Sequence, residues 1–145
     1  MYKHILIATD GSDLANKALA HGLALAKALS AKASVVTVTE PYHVFAFEPQ
    51  MVTDTRPDYE KHARQHAEAV LRTASKTATE LGIDCNTVHT EGDDPFEAII
   101  KTAGTQGCDL IVMASHGRRG ISALLIGSQT VKVLTHSKIP VLVCR

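Results

Sequence analysis

Apolar residues in this chain gather in short runs, separated by longer stretches with helical periodicity. His4 to Thr9 (HILIAT) is brief and rich in Ile, as in a strand buried on both faces. Asp10-Gly-Ser-Asp13 follows as a turn with capping residues. Leu14, Ala18, Leu25 and Leu29 then recur at helical spacing among many alanines. Ser34 to Thr39 is β-branched and reads as a second strand, ended by Glu40-Pro41. Pro57 opens a long helix to Leu81, with Gly82 just past its end. Ile83 to Thr90 alternates weakly as a third strand. Asp93-Asp94-Pro95 marks another helix start, and that helix carries Phe96, Ile99 and Ile100 and ends between Gly104 and Gly107. Leu110 to Met113 is a fourth strand, Ser128 begins the last helix, and Ile139 to Cys144 is a fifth strand.

Strict alternation of strand and helix predicts a single α/β domain, doubly wound, with a five-stranded parallel sheet between helices. Ligands of such sheets sit beyond the carboxyl ends of the strands, where the winding reverses. Two loops have suitable chemistry there, Thr9 to Ser12 after the first strand and Ala114 to Gly120 after the fourth. They share one crevice if those strands are neighbours. Tyr42 to Arg56 shows no period and holds Phe45, Phe47 and Met51, as expected of a lid, a partner-binding loop or a loop packing its own aromatics.

Composition narrows the function classes. At 145 residues the chain makes one domain with a sizeable core. Fifteen Lys and Arg balance 15 Asp and Glu, which gives no footprint for nucleic acid or an acidic membrane surface. No apolar run is long enough to span a bilayer, and the first residues lack signal-peptide architecture, so a cytoplasmic location is expected. Cys85, Cys108 and Cys144 have no CxxC spacing and read as reduced thiols, not metal ligands. His62 and His66 lie four apart on the long helix without a third ligand and read as a solvated face.

The densest chemistry lies in Asp109 to Val133. A buried strand runs into Ala114-Ser-His-Gly117, then Arg118, Arg119 and Gly120, and nine residues after Gly117 ends the spacer before Gly127-Ser128 and a helix. Gly127 permits close backbone approach and Ser128 is a candidate cap. The helix start offers unpaired N–H groups and about half a positive charge, which favours a phosphate. Other nucleotide and hydrolase signatures are missing: there is no GxxxxGK[ST], no GxGxxG after a strand and no GxSxG. Nothing in the spacing of Asp10, His116 and Ser128 supports a hydrolytic triad.

These residues resemble the universal stress protein family over nearly the whole chain. The opening HILIATDGS matches the family's first strand and acidic turn, and HSKIPVLVCR its last helix and strand. The family's ATP-binding pattern, Gly-x2-Gly-x9-Gly-Ser/Thr, is met by Gly117, Gly127 and Ser128, with Ala114 in place of the first glycine. The resemblance implies an adenine nucleotide α-hydrolase-like fold with strand order 3-2-1-4-5. It places Thr9 and Asp10 near adenine or ribose, and Val38 in the base pocket. Met113, Ala114, His116 and Gly117 would approach the ribose and phosphates. Gly127, Ser128, Gln129 and Thr130 would hold the phosphates through N–H groups and hydroxyls, with Arg118 and Arg119 as further phosphate partners. The implied cofactor is ATP, or AMP or ADP, with any Mg2+ held through the phosphates. The implied partner is a second copy of the chain, paired through Ile139 to Cys144. Ala114 raises a specific question, because a methyl there crowds the ligand or strains the backbone if the position needs a positive φ. The reading is therefore an ATP-binding regulatory module of the stress response with at most slow hydrolysis. A nucleotide-free dimeric interaction protein and a true ATP-using enzyme are its alternatives.

Overall fold

A computed structural model describes residues 1–43, 55–117 and 126–145. The chain runs β1 (His4–Ala8), α1 (Asp13–Leu29), β2 (Lys32–Thr39), α2 (Arg56–Leu81), β3 (Cys85–Glu91), α3 (Pro95–Gln106), β4 (Leu110–Ala114), α4 (Ser128–His136) and β5 (Val141–Cys144). The five strands form one parallel sheet in the order β3-β2-β1-β4-β5. This is the doubly wound architecture and strand order that the sequence led us to expect.

Ile5, Leu6 and Ile7 of β1 and Ile111 and Val112 of β4 are wholly buried, because helices cover both faces of the central strands. Ile5, Ile7 and Val112 pack with Leu19, Leu23 and Ala26 of α1 and with Ala74 and Ala78 of α2. Leu6, Ile111 and Met113 face the other way, toward Ile99 and Ala103 of α3 and Val133 of α4. Gly22 lets α1 lie close to the sheet, since a β-carbon there would stand 2.8 Å from Ile7 Cδ1.

Several boundaries differ from the sequence reading, each for a local reason. Ile83 does not open β3; its N–H bonds to the Ala78 carbonyl at 3.0 Å and closes α2, while Gly82 takes the left-handed cap at φ 70°. β3 is not apolar throughout, for CNTVHTE lies on an edge with exposed positions along its length. β5 begins at Val141, not Ile139. Pro140 lends its carbonyl to Ile111 N at 3.0 Å but has no N–H to continue the ladder. The first strand stops at Ala8, one residue short of Thr9.

The thiols of Cys85, Cys108 and Cys144 are free, and burial pushes all three pKa values up, that of Cys108 to about 11 with help from the Asp109 charge. Asp109 ties the start of β4 to the start of β1. Partial burial works against its charge, but N–H groups of Lys3 (2.9 Å) and His4 (3.0 Å) outweigh this and lower its pKa.

Candidate functional site

The sheet order puts β1 between β2 and β4, so the chain leaves β1 toward one side and β4 toward the other. Their carboxyl ends border a cavity of about 370 Å³, a size ordinary for small-molecule sites.

The turn after β1 is held by its own side chains. Thr9 Oγ1 accepts from Gly11 N (3.2 Å), Asp10 Oδ1 from Ser12 N (3.0 Å), and Ser12 Oγ caps α1 by accepting from Ala15 N (3.3 Å). Gly11 sits at φ 80° against Val70 of α2, where any side chain would be both strained and crowded.

The loop after β4 meets this turn. A β-carbon on Gly117 would run into the Asp10 carboxylate, so glycine is needed there for close approach and not for a positive φ. Farther on, Gly127 N donates to the Ser115 carbonyl at 2.6 Å, and a β-carbon on Gly127 would lie 3.2 Å from His116 Cα. Gly127 thus brings the start of α4 against the Ser115-His116 backbone. His116 Nδ1 lies 3.3 Å from the Ser115 hydroxyl.

Gly127, not Ser128, is the N-cap of α4, and no side chain caps that helix. The sequence-based choice of Ser128 is off by one, because Ser128 already has helical geometry as the first residue. Val131 N bonds to the Gly127 carbonyl at 3.0 Å, which leaves the N–H groups of Ser128, Gln129 and Thr130 without an acceptor among the described residues. Thr130 lends no hydroxyl to the cavity, since its Oγ1 donates to the buried Ala114 carbonyl at 3.0 Å. The Gln129 amide oxygen is likewise engaged, accepting from Phe96 N at 3.0 Å. Of these three residues, Ser128 alone keeps an uncommitted side-chain hydroxyl among the described contacts.

Eleven of the thirteen expected site residues line this one cavity: Thr9, Asp10, Val38, Met113, Ala114, His116, Gly117, Gly127, Ser128, Gln129 and Thr130. The other two, Arg118 and Arg119, lie outside the described residues, as does most of the Tyr42 to Arg56 stretch. Ala8, Ala15, Val36, Glu40, Pro95 and Ile99 also line the cavity and were missed. Val36 of β2 and Glu40, the residue just past its end, could have been found, because they alternate with Val38. Pro95 and Ile99 come from α3 across the cleft and had no signal in the chain order.

Ala114 is resolved in its backbone. Among the described residues Ser30 is the one non-glycine at positive φ, so the motif position is not strained by a side chain. The Ala114 methyl joins Ala15 and Ala18 of α1 in a small buried cluster. Among the described residues no three His, Cys, Asp or Glu side chains gather to hold an ion. His62 is exposed, and His66 stands beside the Gly11 turn. No helix among the described residues is long and apolar enough to cross a membrane.

Fold and cleft define a doubly wound α/β protein with a cavity at its switch point. Its sequence matches the universal stress protein family over residues 1–145, and the chain belongs to that family. A universal stress protein of Thermus aquaticus is 34% identical over 145 residues, covering all of both chains. YxiE of Bacillus subtilis is 30% identical over 152 residues, again across both chains. Among solved structures, MJ0577 of Methanocaldococcus jannaschii superposes with a TM-score of 0.81 at 29% identity, covering 99% of this chain and 96% of that one. A universal stress protein in complex with cAMP gives a TM-score of 0.74 at 26% identity, covering 99% and 97%.

Proposed function

We propose that this protein binds an adenine nucleotide, ATP or its AMP and ADP forms, in the cleft between β1 and β4. It acts as a cytoplasmic regulatory module of the stress response, and any hydrolysis of bound ATP is slow. The observation that carries this reading is the convergence of five distant stretches on one cavity of mixed polarity. The first residues of α4, whose N–H groups no side chain caps, line it together with Asp10 and Glu40 and with the apolar Val36, Val38 and Ile99. The cAMP complex of a relative supports the ligand class.

The strand register supports a base contact at Val38. β1 pairs with β2 up to Ala8 beside Val36, and Thr9 N still donates to the Val36 carbonyl at 3.0 Å. β2 runs on to Thr39, whose carbonyl accepts from Gly92 N on the other side. Alternate residues of a parallel strand bond to alternate neighbours. Val38 therefore turns its N–H and C=O past the end of β1, into the cleft. One donor beside one acceptor complements the N1 and N6 edge of adenine, whereas guanine presents the reverse order. Asp10 accepts from ribose hydroxyls, and the first turn of α4 with the Ser128 hydroxyl receives the phosphates. Mg2+, where present, is held through those phosphates.

The same reading includes a homodimer through β5. This strand is a sheet edge, and its four residues remain half-buried in the single chain.

Mass spectrometry of ligand released from denatured protein tests the nucleotide reading, followed by calorimetric titration with ATP, ADP and AMP. An adenine nucleotide carried through purification, or tight binding of one added back, is the expected result. Purified protein that carries none and binds none at millimolar concentration is instead a nucleotide-free interaction protein.

A further inference from the structure

The amino ends of α3 and α4 meet beside the cavity, Pro95 from one helix and Ser128 from the other. Three side chains on one face of α4 reach the first turn of α3. The Gln129 amide oxygen accepts from Phe96 N at 3.0 Å. Lys132 Nζ lies 3.5 Å from Asp94 Oδ1 and 5.3 Å from the Phe96 ring centre, and the His136 ring packs on Phe96 at 5.3 Å. Asp94, the N-cap of α3, makes no side-chain cap bond. Gln129 thus supplies from a different helix the acceptor that the cap position leaves out.

We infer that Gln129 is a positioning residue for the phosphate end of the site. This rests on the nucleotide reading above and adds a residue that holds the anion-binding helix end in place. The second residue of a helix has no backbone acceptor for its N–H, so the first turn frays readily unless something fastens it. Here the fastening is the Gln129 side chain, anchored on the Phe96 backbone in a part-buried bond. Its own N–H, and those of Ser128 and Thr130, are thereby set before any ligand arrives. Binding through pre-set donors loses less to ordering than binding through a frayed turn. The Lys132–Asp94 pair is solvent-exposed and contributes little to this.

The test separates phosphate from nucleoside. Gln129→Met keeps the length of the side chain and removes the acceptor. NMR titration of the wild type and Q129M with AMP and with adenosine, alongside amide exchange at Phe96, reads the effect. We expect Q129M to fold, to exchange the Phe96 amide faster, and to lose about tenfold in AMP affinity, the size of one charge-assisted hydrogen bond. Adenosine affinity should change by less than about twofold, since the base and ribose contacts do not involve α4. Unchanged AMP affinity in Q129M overturns the inference while leaving the nucleotide reading intact. Equal loss of AMP and adenosine also overturns it, because a general loosening of the cleft then explains the result. Wild-type protein that binds neither ligand sinks the nucleotide reading and this one with it.

Discussion

Ala114 is the residue at which the motif departs from its pattern, and its surroundings decide what the departure means. Its backbone is unstrained and its methyl is buried with Ala15 and Ala18. Ala114→Gly should therefore cost about 1 kcal/mol of stability, from one lost buried methyl and added chain freedom. The stabilisation by nucleotide should be equal or larger, which paired thermal melts with and without AMP would reveal. Ser128→Asp acts on the other side of the site. A negative charge on the first residue of α4 opposes the phosphates, so the variant should fold but lose the nucleotide-induced rise in melting temperature. Asp109 supports the fold at a distance from the cleft. Its folded pKa is lowered, so its contribution is full above the unfolded value of about 3.9 and disappears as the pH falls through the folded value. Asp109→Asn should cost roughly 1 kcal/mol at pH 7, scaled down for partial exposure, and less at about pH 3, below the unfolded value. Urea denaturation at both values would check this; an equal loss at both would remove the charge from the account.

At the scale of elements, the edge strand β5 and the helix α4 carry the predictions. The described surface leaves Ile126, Val131 and Leu134 each more than two-fifths exposed, with the first two flanking or opening the helix that precedes β5. A second copy paired along β5 would shield apolar surface that the single chain leaves in water. Val141→Lys together with Val143→Lys should yield monomers in light scattering, and a well-folded dimer would remove β5 from the interface. Within the sheet, Gly22 is the contact that sets the spacing of α1. Gly22→Ala should destabilise by about 1–3 kcal/mol through overpacking against Ile7, despite the better helix propensity of alanine.

For the whole molecule, the prediction is linkage. Ligand at about a hundred times its dissociation constant adds ~2.7 kcal/mol to folding stability. For a domain of this size the melting temperature should rise by roughly 5–10 °C. Calorimetry across a nucleotide series would test it, with guanosine phosphates giving a smaller rise if the proposed adenine contact at Val38 holds.

The sequence by itself determined the alternation of strands and helices, since short apolar runs and longer amphipathic stretches are local properties of neighbouring residues. It also determined the cap glycine Gly82, the turn at Gly11, and the two loops that border the cavity. Its resemblance to a known family carried the strand order. What only the tertiary structure decided were relations between residues far apart in the chain. Gly117 is needed because the Asp10 carboxylate fills the place of its β-carbon, and Gly127 because His116 lies against it. Ala114 is tolerated because α1 presents alanines to its methyl. The side-chain oxygens of Thr130 and Gln129 are engaged within the protein, by a buried carbonyl on β4 and by an uncapped N–H of α3. Pro95 and Ile99 entered the cavity for the same reason: helix packing over a twisted sheet brings together positions that no local pattern marks.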